Sequence, residues 1–295
     1  MTTATAAAAL AALITVMTLL FTGACTPDAS RDGPGRATST GAAPATEFGS
    51  AEPTGDGVAQ LADRALSYDC TDVPPRETGQ PTVVLLTGLD NDMTVWDQTR
   101  RHLGDVPVCA YDRANVGSSN RVDGPRPIDD SVDELHGFLQ AADVPPPYML
   151  VGHSYGGLVT MLYAAAYPQQ VHSLLLVDGL LPFEDELDAI SNGPRQLARV
   201  RAELNDNVEQ LTIFGHLPDP VRLLESLPDV PTVYLFGRRQ DLTEPGWPPG
   251  SYRTRMHAFI KALPNGAIVG ADAGHGIPAE DPTAIAQQVT TLHGR

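Results

Sequence analysis

Basic residues are scarce in this chain: Lys and Arg total 19 against 36 Asp and Glu, the net charge is −17, and Lys261 is the sole lysine. A nucleic-acid partner needs a basic face for its phosphates, so that class of function is excluded. Cysteines number only three among 295 residues, no His/Cys cluster shows metal-ligand spacing, and no glycine-rich nucleotide-binding motif occurs. Neither a metal nor any other cofactor is expected. No internal repeat divides the chain, and its one long apolar run, Ala6 to Phe21, is short and alanine-rich for a membrane span. What is present is 42% hydrophobic content, enough at this length for one substantial core and one domain.

The apolar run leads into Thr22-Gly23-Ala24-Cys25, so residues 1–25 read as a signal peptide. The tetrapeptide resembles a bacterial lipobox, which implies lipidation of Cys25 and a membrane anchor on the outer face of the cell envelope. A plain secretory signal cut near Ala24, or an uncleaved anchor, would produce the same pattern. Residues 26–57 are rich in Pro, Gly, Ser, Thr and Ala with almost no large apolar side chain, and are expected to form a flexible linker. In an oxidising compartment the two remaining cysteines, Cys70 and Cys109, are expected to pair as a disulfide, the alternative being two independent buried thiols.

From residue 58 to 295, short apolar runs alternate with helical patterns, the signature of an α/β fold with a mostly parallel sheet covered on both faces. The runs are Thr82 to Thr87, Val106 to Tyr111, Tyr148 to Val151, Ser173 to Val177, Thr232 to Phe236 and Ala267 to Val269. Between them, Asp130 to Ala142 puts Val132, Leu135, Phe138 and Leu139 on one helical face, with Asp133, Glu134 and Gln140 elsewhere. A later helix, Thr283 to Leu292, offers Ile285, Val289 and Leu292 to the core. The alternation breaks between Asp178 and Val230, a stretch too long for a compact loop, so a helical lid is predicted at about residues 180–229. Its Phe183, Leu187, Ile190, Leu204, Leu211, Ile213, Phe214 and Leu217 either line an acyl pocket or pack the lid onto the core.

The most informative stretch is Tyr148 to Leu158, in which an apolar strand runs into Gly152-His153-Ser154-Tyr155-Gly156 and on into a helix. A serine on so tight a strand-to-helix turn needs small residues two positions either side for the turn to close. Thr87-Gly88-Leu89, the loop from Tyr111-Asp112-Arg113 to Gly117-Ser118-Ser119, Leu176-Val177-Asp178 and Gly274-His275-Gly276 follow in a fixed order around it. Together these motifs resemble the α/β-hydrolase superfamily, and the likeness spans nearly everything from Tyr68 onward.

That resemblance implies a serine hydrolase, with a carboxylic ester as substrate and an acyl-enzyme formed on Ser154. His275 would be the base and the amides of Leu89 and Tyr155 the oxyanion hole. For the acid, Gly237-Arg238-Arg239-Gln240-Asp241 lies after the strand that follows the lid, making Asp241 the first choice and Asp178 the alternative. The Ser154 and His275 pair favours catalysis over the other option the superfamily offers, a ligand-sensing binding module.

Overall fold

The computed structural model describes residues 55–180, 202, 205–213, 216–239 and 251–294. The expected signal segment with Cys25, nearly all of the linker, most of the lid stretch and Asp241 lie outside the described residues. No helix among the described residues is long and apolar enough to cross a membrane.

Among the described residues eight strands form one sheet: β1 (Gly55–Gln60), β2 (Ala65–Thr71), β3 (Thr82–Leu86), β4 (Val108–Tyr111), β5 (Tyr148–His153), β6 (Val171–Val177), β7 (Thr232–Gly237) and β8 (Gly266–Ala271). Their spatial order is β1-β2-β4-β3-β5-β6-β7-β8. The hairpin β1-β2 is antiparallel and joins β4 antiparallel, and from β4 onward every pair is parallel. β3, β4 and β5 are buried at every position, as strands covered on both faces must be. That explains their unbroken apolar runs.

Each face of the sheet carries its own core. On one side pack α2 (Asp129–Ala141), α3 (Tyr155–Ala166), α4 (Pro220–Ser226) and α5 (Ser251–Ala262), through Leu135, Phe138, Leu158, Met161, Leu223 and Ile260. On the other, Leu103 of α1 (Asp97–Leu103) joins Ile285, Val289 and Leu292 of α6 (Pro282–His293). The stripe expected on the last helix is therefore its buried face. The α2 stripe is buried too, but Glu134, expected off the apolar face, is buried with it. Its carboxylate is held by Arg126 at 2.8 Å, Arg64 at 3.0 Å and the Ala114 amide at 3.1 Å. Burial raises its pKa, partly offset by Arg126 and the other donors.

Cys70 and Cys109 face each other across β2 and β4 and are joined by a disulfide. The bond fastens the N-terminal hairpin to the parallel sheet. With the cysteines 39 positions apart in sequence, the chain-entropy treatment of such a cross-link gives about 4 kcal/mol of stabilisation.

Register decides what meets at the carboxyl end of the sheet. Gly152 of β5 lies beside Leu86 of β3 and Leu176 of β6, and Val177 lies beside Leu235 of β7. The residues that leave these strands, Thr87 to Leu89, Ser154 and Asp178, therefore emerge side by side where open α/β sheets bind ligands.

Candidate active site

Ser154 is the only residue between β5 and α3, with φ 51° and ψ −118°, a backbone conformation that L residues rarely adopt. Its neighbours make the turn possible. A Cβ on Gly152 would stand 2.3 Å from the Gly156 carbonyl oxygen, and one on Gly156 would stand 2.4 Å from the Leu86 oxygen and 2.6 Å from the Thr87 oxygen. Those contacts are backbone and cannot yield, so both positions require glycine. The Ser154 amide donates to the Val177 oxygen at 3.1 Å, while its carbonyl accepts from Gly157 at 2.9 Å and Leu180 at 2.7 Å. The main chain is fully committed, and the hydroxyl bonds to no described residue.

Asp178 directly follows β6, with φ 43° and its amide bonded to the Leu235 oxygen at 2.7 Å. One carboxylate oxygen lies 2.7 Å from Nδ1 of His275, and the other accepts from the Tyr234 hydroxyl at 3.3 Å. The carboxylate side chain is 9% exposed against 37% for the imidazole, so the pair has a buried anchor and an open working end. An ionised carboxylate only accepts, so Nδ1 carries the proton and Nε2 presents a lone pair. Asp178 is the alternative acid named from the sequence.

The loop carrying His275 is shaped by glycine and by a histidine. Gly237, at the end of β7, lies so close to this loop that a Cβ there would stand 2.0 Å from the Gly274 oxygen. Glu280 receives the Gly274 amide at 2.9 Å and Arg239 at 2.9 Å, fixing the far side. On the near side, Nε2 of His153 donates to the His275 carbonyl at 2.9 Å, and the two rings lie 4.9 Å apart. The residue next to Ser154 thus holds the main chain of His275. Burial, with His275 adding to it, lowers the pKa of His153 from 6.5 to about 3, and its ring is turned toward that carbonyl. It is a neutral strut rather than a rival base.

This arrangement has a measurable consequence for stability. Because the folded value lies below the unfolded one, the unfolded chain binds the extra proton: the contribution is intact above pH 6.5 and is lost as the pH falls toward about 3. Within that window the loss is about 1.4 kcal/mol per pH unit. Denaturant unfolding between pH 7 and 4 should show His153→Gln falling less steeply than the wild type by roughly that amount, whereas parallel profiles would refute the assignment.

The loop after β3 completes the site. Gly88 is close enough to the serine that a Cβ there would lie 3.4 Å from that of Ser154. The Leu89 amide, next in the chain, finds no acceptor among the described residues. Thr87 is buried and bonds the Asn91 oxygen at 2.8 Å. The two acidic neighbours of this loop have structural duties: Asp92 caps the turn that follows, and Asp90 accepts from the Glu209 amide at 3.2 Å. Asp112 organises the next loop, accepting from Met93 at 2.7 Å and Ser118 at 3.0 Å, and its carboxylate fills the space a Gly117 side chain would need. Glu209 carried no sequence signal, Tyr234 was visible only as part of a strand run, and Arg113 only as part of its motif. Among the described residues no group of three or more His, Cys, Asp or Glu could hold a metal ion.

Comparison with known proteins agrees with this architecture. The chain is 32% identical over 133 residues to the lipase LipV of Mycobacterium tuberculosis, covering 43% of this chain and 50% of that one. It is 35% identical over 101 residues to YqjL of Bacillus subtilis, covering 34% and 40%. The chain thus spans half or less of the length of these curated relatives. In three dimensions it resembles a thermophilic esterase from Thermogutta terrifontis with TM-score 0.60 at 20% identity, over 81% of this chain and all of that one. The alpha/beta hydrolase fold family matches residues 81–241, more than half of the chain. An elbow serine after the fifth strand, flanked by loops from the third, sixth and eighth, sits on a chain that belongs to the alpha/beta hydrolase family.

Proposed function

We propose that this hydrolase cleaves carboxylic esters through an acyl-enzyme on Ser154, with His275 as base, Asp178 as its acid partner and the amides of Leu89 and Tyr155 as oxyanion donors. The observation that carries the reading is the 2.7 Å contact between Asp178 and Nδ1 of His275, on a loop that His153 ties to the elbow. A lipase among its relatives and an esterase among its structural neighbours support an ester as substrate. Export, with the N-terminal segment as signal and Cys25 as a lipid attachment point, belongs to the same reading and is supported by the Cys70 to Cys109 disulfide.

The chemistry follows from the groups present. Ser154 Oγ attacks the acyl carbon as its proton passes to Nε2 of His275, and Asp178 holds the imidazole in the required tautomer and stabilises its cation. Negative charge grows on the former carbonyl oxygen, where the Leu89 amide and the orphan amide at the start of α3 donate to it. Collapse expels the alkoxide, which takes the proton from Nε2. Water then repeats the sequence and releases the acid.

A fluorophosphonate probe tests the reading at small cost. It is expected to label the protein once, on the peptide containing Ser154, and labelling should vanish in Ser154→Ala. A folded wild type that takes no label would overturn the catalytic reading in favour of a ligand-binding module.

A further inference from the structure

We propose that Glu209, on the chain between β6 and β7, is a positioning residue that sets the oxyanion donor of Leu89 through Arg113. The inference rests on Ser154 being the nucleophile. Arg113 and Glu209 are both fully buried and paired in a fork, Nε to Oε2 at 2.7 Å and Nη2 to Oε1 at 2.7 Å. The remaining guanidinium donors go to the loop after β3: Nη2 to the Gly88 oxygen at 2.7 Å, and Nη1 to the Thr87 oxygen at 2.8 Å and its hydroxyl at 3.1 Å. Glu209 grips the same loop from beyond, accepting the Asp90 amide on Oε1 at 2.8 Å while its own amide bonds the Asp90 carboxylate.

Peptide planarity turns these bonds into a statement about Leu89. The Gly88 carbonyl and the Leu89 N–H belong to one rigid unit and point in opposite directions. Pinning the oxygen on Arg113 therefore aims the N–H away from Arg113, and it finds no acceptor among the described residues. A buried arginine must be neutralised to stay in place, and Glu209 is the carboxylate that does so. The same guanidinium lies 5.2 Å from the ring centre of Tyr155, whose amide is the other proposed donor. Half of the ion pair that sets the Leu89 amide thus comes from the stretch between β6 and β7.

The test is steady-state ester hydrolysis by Glu209→Gln and Arg113→Lys, each measured well below its own thermal midpoint. Glutamine keeps the shape but loses the charge, whereas lysine keeps the charge but loses the fork. Misaiming one oxyanion donor acts on the transition state, so kcat should fall by roughly 10² while KM stays within about threefold. Either variant suffices if the other does not fold. A folded variant with kcat within twofold of wild type, or with the loss carried by KM, overturns the proposal and leaves Ser154 as nucleophile. A wild type that neither hydrolyses esters nor takes a fluorophosphonate overturns both.

Discussion

Asp178→Asn is expected to lower kcat/KM for ester hydrolysis by about 10⁴, while Asp241→Asn stays within a few-fold of wild type. Asparagine fits the same space, but its amide can donate to Nδ1 of His275 where the carboxylate only accepts. The imidazole then carries its proton on Nε2, the atom that must take the proton of Ser154. Geometry is retained and chemistry is lost. The 2.7 Å contact and the near-complete burial of the carboxylate make this a strong coupling, with the Tyr234 hydroxyl on its second oxygen. Steady-state kinetics on the two purified variants checks it, and the reverse ranking would assign the acid to Asp241.

Chain order has no power over that choice, because Asp178 and Asp241 both fall between Ser154 and His275. What separates them is register: β6 ends beside β5, so the residue after Val177 emerges next to the residue after His153. Pairing between non-consecutive segments is not written in local pattern. The parallel strands were legible because burial on both faces forces continuous apolar runs, and the elbow was legible because its backbone tolerates only glycine on either side. The N-terminal hairpin was less so. β1 opens within the stretch whose composition reads as linker, and its only buried side chain among the described positions is the small Ala59. β2 does carry a period-two signal, with Leu66, Tyr68 and Cys70 buried in alternation, and that pattern was available to a reader of the sequence. Glu209 was not available by any such route. A lone carboxylate in a charged stretch has no period, and its role appears only when Arg113, remote in the chain, is brought against it.

The elbow also predicts different stabilities for two substitutions at one position. Ser154→Ala and Ser154→Gly both remove the nucleophile, so each should reduce kcat by about 10⁶, as loss of a nucleophilic serine does elsewhere. Their stabilities should diverge. At φ 51° and ψ −118° a Cβ is strained, at a cost of roughly 1–3 kcal/mol, and alanine keeps that Cβ whereas glycine removes it. Glycine returns about 0.5–1 kcal/mol of this through the greater freedom of its unfolded chain. The net expectation is a glycine variant about 1 kcal/mol more stable than the alanine variant, read from denaturant midpoints at a common slope. A glycine variant about 0.5–1 kcal/mol less stable than the alanine variant would mean that the elbow stores no strain. A more stable glycine variant would show the strain to be the cost of projecting Ser154 from the turn, held in place by the glycine packing of Gly152 and Gly156.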